Sequence, residues 1–428
     1  MLSREVVTEL QTLMFGAAPF SQEMKANTRR WFQQSIGFGV GHKADEFFGG
    51  FVQPSAGPCG LHAVLNAFAL CELLFGVSAN DLSMNPDQIL QSIRSLDDMT
   101  QIDSDIALVA LVGALAFSIW QAGNGRTAVV VFFVQPSLLM TTLNSYDDVF
   151  HFVFENSAHF TSNMGMMNFV YSLLMSRGLE QVKADMGGRY GINCLVQDHG
   201  TCSQDLLNLA TIGLAIPSVH NDNAGNESFG VGLPRRSVVG FISNYAAAGV
   251  GSHYLNPMVP FWLISGEGHV TLLLSDDPLV IRELSHVHNA FPSVRPSEST
   301  DSSHSLSVSP YFPSPAISGP QITNIENQTL STHIINPIRL YHWNGLSQSE
   351  EDPQFTPIDL LDHASVLDHP FNAFNFRGGN GTDRARINAY SQLGRTATTA
   401  IMNILKSKWN WIRGLVFPAN QGSPPNLN

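Results

Sequence analysis

Charged residues are scarce in this chain. Only 13% of its 428 residues are Asp, Glu, Lys or Arg, about half the share that is usual in soluble domains. The 35 acidic residues outnumber the 22 basic ones, which gives a net charge of −13. No run of Lys and Arg exists, and the densest basic groups are the pairs Arg29–Arg30 and Arg235–Arg236. Because nucleic acid binding needs a cationic face, this composition argues against nucleic acid as a partner and favours a neutral or basic protein.

Cysteine is also scarce. The four cysteines, Cys59, Cys71, Cys194 and Cys202, form no C-x-x-C pair and no zinc spacing, and they are too few for a disulfide scaffold. The opening MLSREVVTELQTL is charged and amphipathic, so we expect no signal peptide. We therefore predict an intracellular protein, cytoplasmic with the nucleus also open, that keeps its thiols free and uses no cofactor or metal.

The chain has no apolar run of membrane-spanning length. The longest run covers residues 106–120, which is 15 residues, whereas about 20 are needed to cross a bilayer. We interpret this run as a buried helix and expect no membrane association.

The remaining apolar patterns predict an α+β fold. Apolar residues recur at three- and four-residue steps after Cys59 and predict a long helix with one buried stripe. The β-branched and aromatic residues 127–134 predict a buried strand that Pro136 stops. Residues 261–265 and 269–274 predict two further strands. Other patterns predict a lead-in helix over 2–15, helices over 85–95 and 164–176, and a strand over 335–343.

The composition changes abruptly near residue 285. From there to residue 332 the chain is rich in Ser, Pro, His, Asn and Thr, which is typical of a disordered insertion. Residues 418–428 form a polar, Pro-rich tail that we expect to be flexible. We therefore predict one domain, built from residues 1–284 and 333–417.

One short segment, QPSAGPCG, has the features of a nucleophile site. Cys59 opens the predicted helix, and the free N–H groups and positive dipole end of a helix N-terminus favour the thiolate that acts as a nucleophile. Pro58 suits the first turn of a helix, while Gly57 and Gly60 leave the backbone near the sulfur open. Gln53 can donate its side-chain amide to an oxyanion beside the Cys59 backbone N–H.

A cysteine in a helix is more often a small buried hydrophobe than a nucleophile. Cys71 lies on the apolar stripe of the same helix and is interpreted as a core residue. What distinguishes Cys59 is the Gly-Pro-Cys-Gly sequence at a helix start together with the upstream glutamine.

A thiol nucleophile needs an imidazole from elsewhere in the fold. His269 follows the glycine-rich GEG segment at the head of a predicted strand, where alternation places it on the same face as Thr271. His62, one turn after Cys59, is the second candidate, although a neighbour on the same helix seldom aligns with the sulfur.

A third residue would orient the base. Asn344, at the end of the next predicted strand, is the candidate, although it is equally well explained as a turn residue before Gly345. Asp276 and Asp277 are nearer to His269 in sequence but lie in a predicted turn.

The motif Q-x-x-x-x-x-C within QPSAGPCG, ahead of a long helix, resembles the MINDY family of deubiquitinating cysteine peptidases, in its longer branch. The segments LPRRSVVGFIS, GSHYLNP and PFWLISGEGH resemble the run that leads to the family's catalytic histidine, and residues 341–346 and 402–411 resemble the parts that follow. The resemblance covers roughly residues 30–411. Three positions depart from the family pattern: Ala56 replaces a glycine, Gly268 replaces a hydroxyl residue, and His62 replaces an apolar or small one.

This resemblance implies a papain-like fold in which Cys59 is the nucleophile, His269 the base and Gln53 the oxyanion donor. It implies hydrolysis at the C-terminus of ubiquitin, with lysine-48-linked polyubiquitin as the preferred substrate. Two alternatives stay open. The chain could be a weak or inactive polyubiquitin-binding protein on the same fold, or it could cleave another ubiquitin-like modifier.

Overall fold

The secondary structure is mixed, with helices before the main sheet and strands toward the C-terminus. The computed structural model describes residues 1–17, 21–40, 47–53, 55–75, 104–187, 193–221, 231–243, 249–266, 268–290, 338–343, 345, 355–361, 404–409 and 414–416. Its helices are α1 (Arg4–Phe15), α2 (Gln22–Phe32), α3 (Cys59–Phe75), α4 (Ser104–Ala122), α5 (Tyr146–Glu155), α6 (Ala158–Thr161), α7 (Gly165–Arg177), α8 (Leu179–Met186), α9 (Gln204–Ile212), α10 (Ser252–Leu255) and α11 (Pro278–Ala290). Its strands are β1 (Phe38–Val40), β2 (Phe47–Phe51), β3 (Ala128–Val134), β4 (Ser137–Leu143), β5 (Gly240–Ser243), β6 (Phe261–Ser265), β7 (Val270–Leu274), β8 (Ile338–Trp343), β9 (Phe355–Leu361) and β10 (Gly414–Val416). The predicted α+β class is confirmed.

Serine caps explain where several helices begin. The hydroxyl groups of Ser3, Ser21, Ser145 and Ser203 each accept a hydrogen bond from the backbone N–H three residues later. Each bond satisfies one of the N–H groups that a helix start leaves without an intrahelical partner. Helices α1, α2, α5 and α9 therefore start where the sequence supplies a cap.

The main sheet has six strands in the order β10-β9-β8-β7-β6-β5. Strands β5 and β6 pair in parallel, and the other neighbours pair antiparallel. Strands β1 with β2 and β3 with β4 form two separate antiparallel hairpins. Strand β3 ends at Val134, as Pro136 predicted, and the chain turns there into β4.

The main sheet separates two hydrophobic cores. Leu272 and Leu274 of β7 belong to the larger core, which includes α1, α3, α4, α7 and α9. Leu273 and Trp262 belong to a smaller core with α11 and the helical turn at residues 404–408. Trp409 packs edge-on against Trp262 with 5.2 Å between ring centroids. The alternation predicted for β7 is thus confirmed, with opposite faces buried in different cores.

Helix α3 is the centre of the larger core. All of its residues except Glu72 are buried, and the helix contacts α4, α9, β2, β6 and β7. The sequence predicted that only one stripe of the helix is buried. The buried surface is wider than predicted, because neighbouring elements cover the helix on every side. A helix that is apolar all round is expected in such a position.

The long apolar run forms α4. This helix has 19 residues, and by length and composition it could cross a membrane. However, 72% of its most apolar stretch is buried inside the protein, where it packs against α3, α5, α7 and α9. The prediction of a buried helix is confirmed.

Other predicted elements agree with the structure to within a few residues. The lead-in helix is α1, the helix predicted over 164–176 is α7, and the strand predicted over 335–343 is β8. Helix α11 continues to Ala290, past the predicted start of the Ser/Pro-rich insertion at residue 285. The helix predicted over 85–95, the insertion from residue 291 onward and the tail 418–428 lie outside the described residues.

Candidate active site

Cys59 is the first residue of α3, as the sequence predicted. The chain enters the helix through Pro58, whose carbonyl accepts the backbone N–H of His62 at 3.1 Å. Because proline has no N–H to lose and its φ is already helical, it suits this entry. Cys59 is only 4% exposed, so its sulfur lies in a nearly closed site at the end of the helix.

The direction of α3 relative to the sheet follows from its ring contacts. At the C-terminal end, Phe75 lies 5.4 Å from Phe261, the first residue of β6. Two turns after Cys59, the side chains of Asn66 and Trp343 both lie against Gly50. Trp343 pairs with Leu272, in the middle of β7. Helix α3 therefore runs along β7 from its start toward its end, and Cys59 lies at the end where β7 begins.

Gln53 is fixed at the same end of the sheet. Its backbone N–H donates to the carbonyl of Gly345 at 2.9 Å, and Gly345 lies two residues beyond Trp343. Its side-chain amide donates to the carbonyl of Ser55 at 2.6 Å, and the residue is 4% exposed. Gln53 is therefore bonded to the sheet through its backbone and to the loop before Cys59 through its side chain.

The loop before Cys59 rests on the end of α2. Gln34 donates from Nε2 to the carbonyl of Ser55 at 3.0 Å and to its hydroxyl at 2.5 Å. Gly57 lies against the indole of Trp31, where an added Cβ would be 3.2 Å from Nε1. Its φ of +141° is also one that favours glycine. Gly57 is therefore required by backbone shape as well as by space.

His269 lies one residue before β7, in the turn that connects β6 to β7. Its carbonyl accepts the backbone N–H of Gly266 at 2.9 Å, and the residue is 8% exposed. Gly268 has a φ of +78° with nothing within 4 Å of an added Cβ, so backbone conformation alone explains the glycine that departs from the family pattern.

His342 is a neighbour of His269 that the sequence did not single out. Its Nε2 lies 2.8 Å from Oγ1 of Thr271, and it is fully buried. Burial lowers the pKa of His342 to about 3, and the charge of His269 contributes to the shift. Thr271 and His342 lie on the face of the sheet opposite to Leu272 and α3. His269 comes one residue before Val270, at the end of the sheet where α3 starts.

The structure disfavours His62 as the base. Its side chain is fully buried in α3, and neither ring nitrogen has a hydrogen-bond partner in the part of the chain that is described. Burial lowers its pKa to about 3. His62 is therefore a neutral core residue.

The candidates for the third residue have different outcomes. Asn344 lies outside the described residues, so its role stays a prediction. Asp277 accepts from the backbone N–H groups of Leu279 and Arg339, which ties it to the start of α11 and to β8. This explains Asp277 as a helix cap.

Two other cysteines lie on or beside α3, and only Cys202 is close to Cys59. A Cβ added at Gly60, in the first turn of α3, would be 3.7 Å from Sγ of Cys202, and burial, with a further contribution from Cys59, raises the pKa of Cys202. Cys71 is buried in the core, as predicted, and burial raises its pKa well above the ordinary value. Cys202 therefore packs beneath the first turn of α3. No spacing in the sequence indicated that contact, which joins distant segments.

Cys59 begins a central helix and His269 comes one residue before β7, and a thiol and an imidazole are the two side chains that the cysteine peptidase class uses. Residues 18–292 match the model of a family described as "Deubiquitinating enzyme MINDY-3/4, conserved domain". The chain belongs to the MINDY-3/4 family.

The chain is similar to several curated members of that family. It is 27% identical over 293 residues to the probable ubiquitin carboxyl-terminal hydrolase MINDY-4 of Xenopus tropicalis, covering 62% of this chain and 36% of the relative. It is 28% identical over 307 residues to the human MINDY-4, covering 65% and 37%. It is 25% identical over 219 residues to the ubiquitin carboxyl-terminal hydrolase MINDY-3 of Mus musculus, covering 44% and 48%.

The match spans little more than a third of the length of the MINDY-4 relatives. No solved structure matches the chain.

Proposed function

We propose that this chain is a cysteine-type deubiquitinase that hydrolyses the (iso)peptide bond at the C-terminus of ubiquitin. The observation that carries the proposal is Cys59 at the first position of α3, in a chain whose family is described as deubiquitinating enzymes. The relatives named as ubiquitin carboxyl-terminal hydrolases support the same substrate class.

In the proposed reaction, His269 takes the proton of the Cys59 thiol, and the thiolate attacks the carbonyl carbon of the terminal glycine of ubiquitin. The negative charge that develops on the carbonyl oxygen is held by the backbone N–H of Cys59 and the side-chain amide of Gln53. His269 protonates the leaving lysine amine, which departs and leaves an acyl-enzyme thioester. His269 then removes a proton from water, and the hydroxide releases the ubiquitin carboxylate and the thiol.

Several finer points belong to the same proposal. We propose a papain-like fold, Asn344 as the residue that orients His269, and a preference for lysine-48-linked polyubiquitin. We also propose an intracellular location, because the thiol nucleophile must stay reduced. Ubiquitin chains are the partners that follow from this activity.

A panel of polyubiquitin linkages incubated with the purified protein tests the proposal. We expect cleavage by the wild-type chain, no cleavage by Cys59→Ala, and a rate about 10²–10³-fold lower for Gln53→Ala, because one oxyanion donor is lost. Cys194→Ala is the matched control, because it removes a cysteine outside the proposed site, and it should cleave at the wild-type rate.

Two outcomes would contradict the proposal. Polyubiquitin that binds the wild-type protein without turnover would indicate a binding protein on this fold. Cleavage of a different ubiquitin-like modifier but of no ubiquitin linkage would move the substrate to another modifier.

A further inference from the structure

We propose that Gln34 is a positioning residue for catalysis, which acts through the Ser55 carbonyl to orient the Gln53 amide toward the oxyanion. This role rests on the proposed deubiquitinase function, in which Gln53 is the oxyanion donor. Gln34 lies far from the QPSAGPCG motif in sequence, and it reaches the site only through the fold.

The proposal starts from a carbonyl that two glutamine side chains share. The Ser55 carbonyl accepts from Nε2 of Gln53 at 2.6 Å and from Nε2 of Gln34 at 3.0 Å. Nε2 of Gln34 also lies 2.5 Å from the Ser55 hydroxyl. A carbonyl oxygen has two lone pairs, so both amides can bond to it together.

Burial and backbone hydrogen bonds fix the position of Gln34. Its side chain is 1% exposed, its carbonyl accepts the backbone N–H of Met166 of α7 at 3.1 Å, and its own N–H donates to the Trp31 carbonyl. The Trp31 indole in turn donates to the carbonyl of Gly200 at 2.7 Å. The Gln34 amide therefore projects from a fixed corner between α2 and α7 rather than from a free loop.

The chemistry of a primary amide explains why this matters for Gln53. Such an amide carries two N–H donors on one nitrogen in one plane. When one N–H bonds to the Ser55 carbonyl, the plane of the amide is set, and the second N–H is left to donate to the oxyanion. Donors to an oxyanion are effective when they are oriented before the charge develops, so whatever fixes Ser55 also sets how well Gln53 donates.

The Gln34 side chain is not explained by packing alone. Its Oε1 is buried and has no hydrogen-bond partner within the described ranges, which costs free energy of folding. A side chain of the same shape without polar atoms would avoid that cost. The part of Gln34 that makes bonds is the nitrogen, and both of its bonds go to Ser55.

Steady-state cleavage of a fluorogenic ubiquitin C-terminal amide tests the role. Gln34→Met keeps the shape of the side chain and removes its donors, and we expect kcat to fall about tenfold or more with KM unchanged within twofold. Gln33→Met is the matched control, because Gln33 is the adjacent glutamine and its side chain is exposed. The control should keep the wild-type kcat.

The double variant separates positioning from a general structural role. If Gln34 acts only through Gln53, Gln34→Met with Gln53→Ala should be no slower than Gln53→Ala alone. A further tenfold loss in the double variant, or a wild-type kcat in Gln34→Met, would overturn the role. If Gln34→Met does not fold at the assay temperature, Gln34→Leu, which also lacks donors, takes its place with the same expected loss of kcat. Turnover by the wild-type protein is measured separately in the same assay. If the wild-type protein shows none, the proposed function is overturned, and this role with it.

Discussion

At the scale of single residues, two buried histidines differ in the hydrogen bonds of their ring nitrogens. His342 has a hydroxyl partner in Thr271, whereas both ring nitrogens of His62 lack one in the described structure. Burial lowers the pKa of each to about 3. Both are therefore neutral in the folded protein at neutral pH, and each would gain a proton on unfolding below its ordinary pKa.

Replacing His62 by leucine should stabilise the fold, because a buried ring with unpaired nitrogens is replaced by an apolar side chain of similar size. We expect the free energy of unfolding at pH 7 to rise by about 1–3 kcal/mol, as measured by urea denaturation. Cleavage activity should not change if His269 is the base. His199→Leu is the control, because the His199 side chain is 88% exposed, and it should leave stability unchanged.

The same variant should change the dependence of stability on pH. The pKa of His62 is lowered from 6.5 to about 3, so the unfolded state binds more protons between these values and stability is lost as pH falls below 6.5. Each such histidine contributes a slope of up to about 1.4 kcal/mol per pH unit. His62→Leu should therefore lose less stability than the wild-type protein between pH 6.5 and 5. An equal or greater loss would contradict the burial of a neutral His62.

At the scale of elements, the turn between β6 and β7 depends on the backbone of Gly268. Its φ of +78° is unfavourable for a residue with a side chain, although there is space for one. We expect Gly268→Ala to lower the free energy of unfolding by about 1–2 kcal/mol. Gly37→Ala is the matched control, because Gly37 also has nothing within 4 Å of an added Cβ but has no left-handed φ. Thermal and urea unfolding compare the two, and equal effects would show that conformation is not the cause.

The elements that could be predicted from sequence are those that carry their own pattern. Helix α3 has continuous apolar spacing and a proline at its start, and β7 has alternating faces that each meet a core. The short strands β1, β2 and β5 were not predicted, because a few residues gain their stability from pairing with neighbours rather than from local preference. Strand β4 was also missed, and its pairing with β3 depends on the turn at Pro136.

At the scale of the whole molecule, the site combines local and distant contributions. Gln53 and Cys59 are six residues apart, so one motif could indicate both. His269 was found because glycines precede a strand-like pattern there. Gln34, Cys202 and His342 reach the site only through tertiary contacts, and nothing in their local sequence distinguishes them from ordinary polar or core residues.

Three parts of the molecule support the site. Helix α3 is buried on all sides and presents Cys59 at its end. The corner between α2 and α7 supports the loop before it, because Gln34 donates to Ser55 and the Trp31 indole lies against Gly57. The sheet holds Gln53 from the other side through Gly345. A rigid surround of this kind is what a preorganised site requires.

The central claim is that Cys59 is the nucleophile that attacks the C-terminus of ubiquitin. A ubiquitin whose C-terminal glycine is replaced by propargylamine, incubated with the protein and followed by intact mass and peptide mapping, tests it most directly. We expect one ubiquitin adduct on Cys59 in the wild-type and Cys194→Ala proteins, slower labelling in His269→Ala, and none in Cys59→Ala. A folded wild-type protein that stays unlabelled, or that is labelled at Cys202 instead, would contradict the claim.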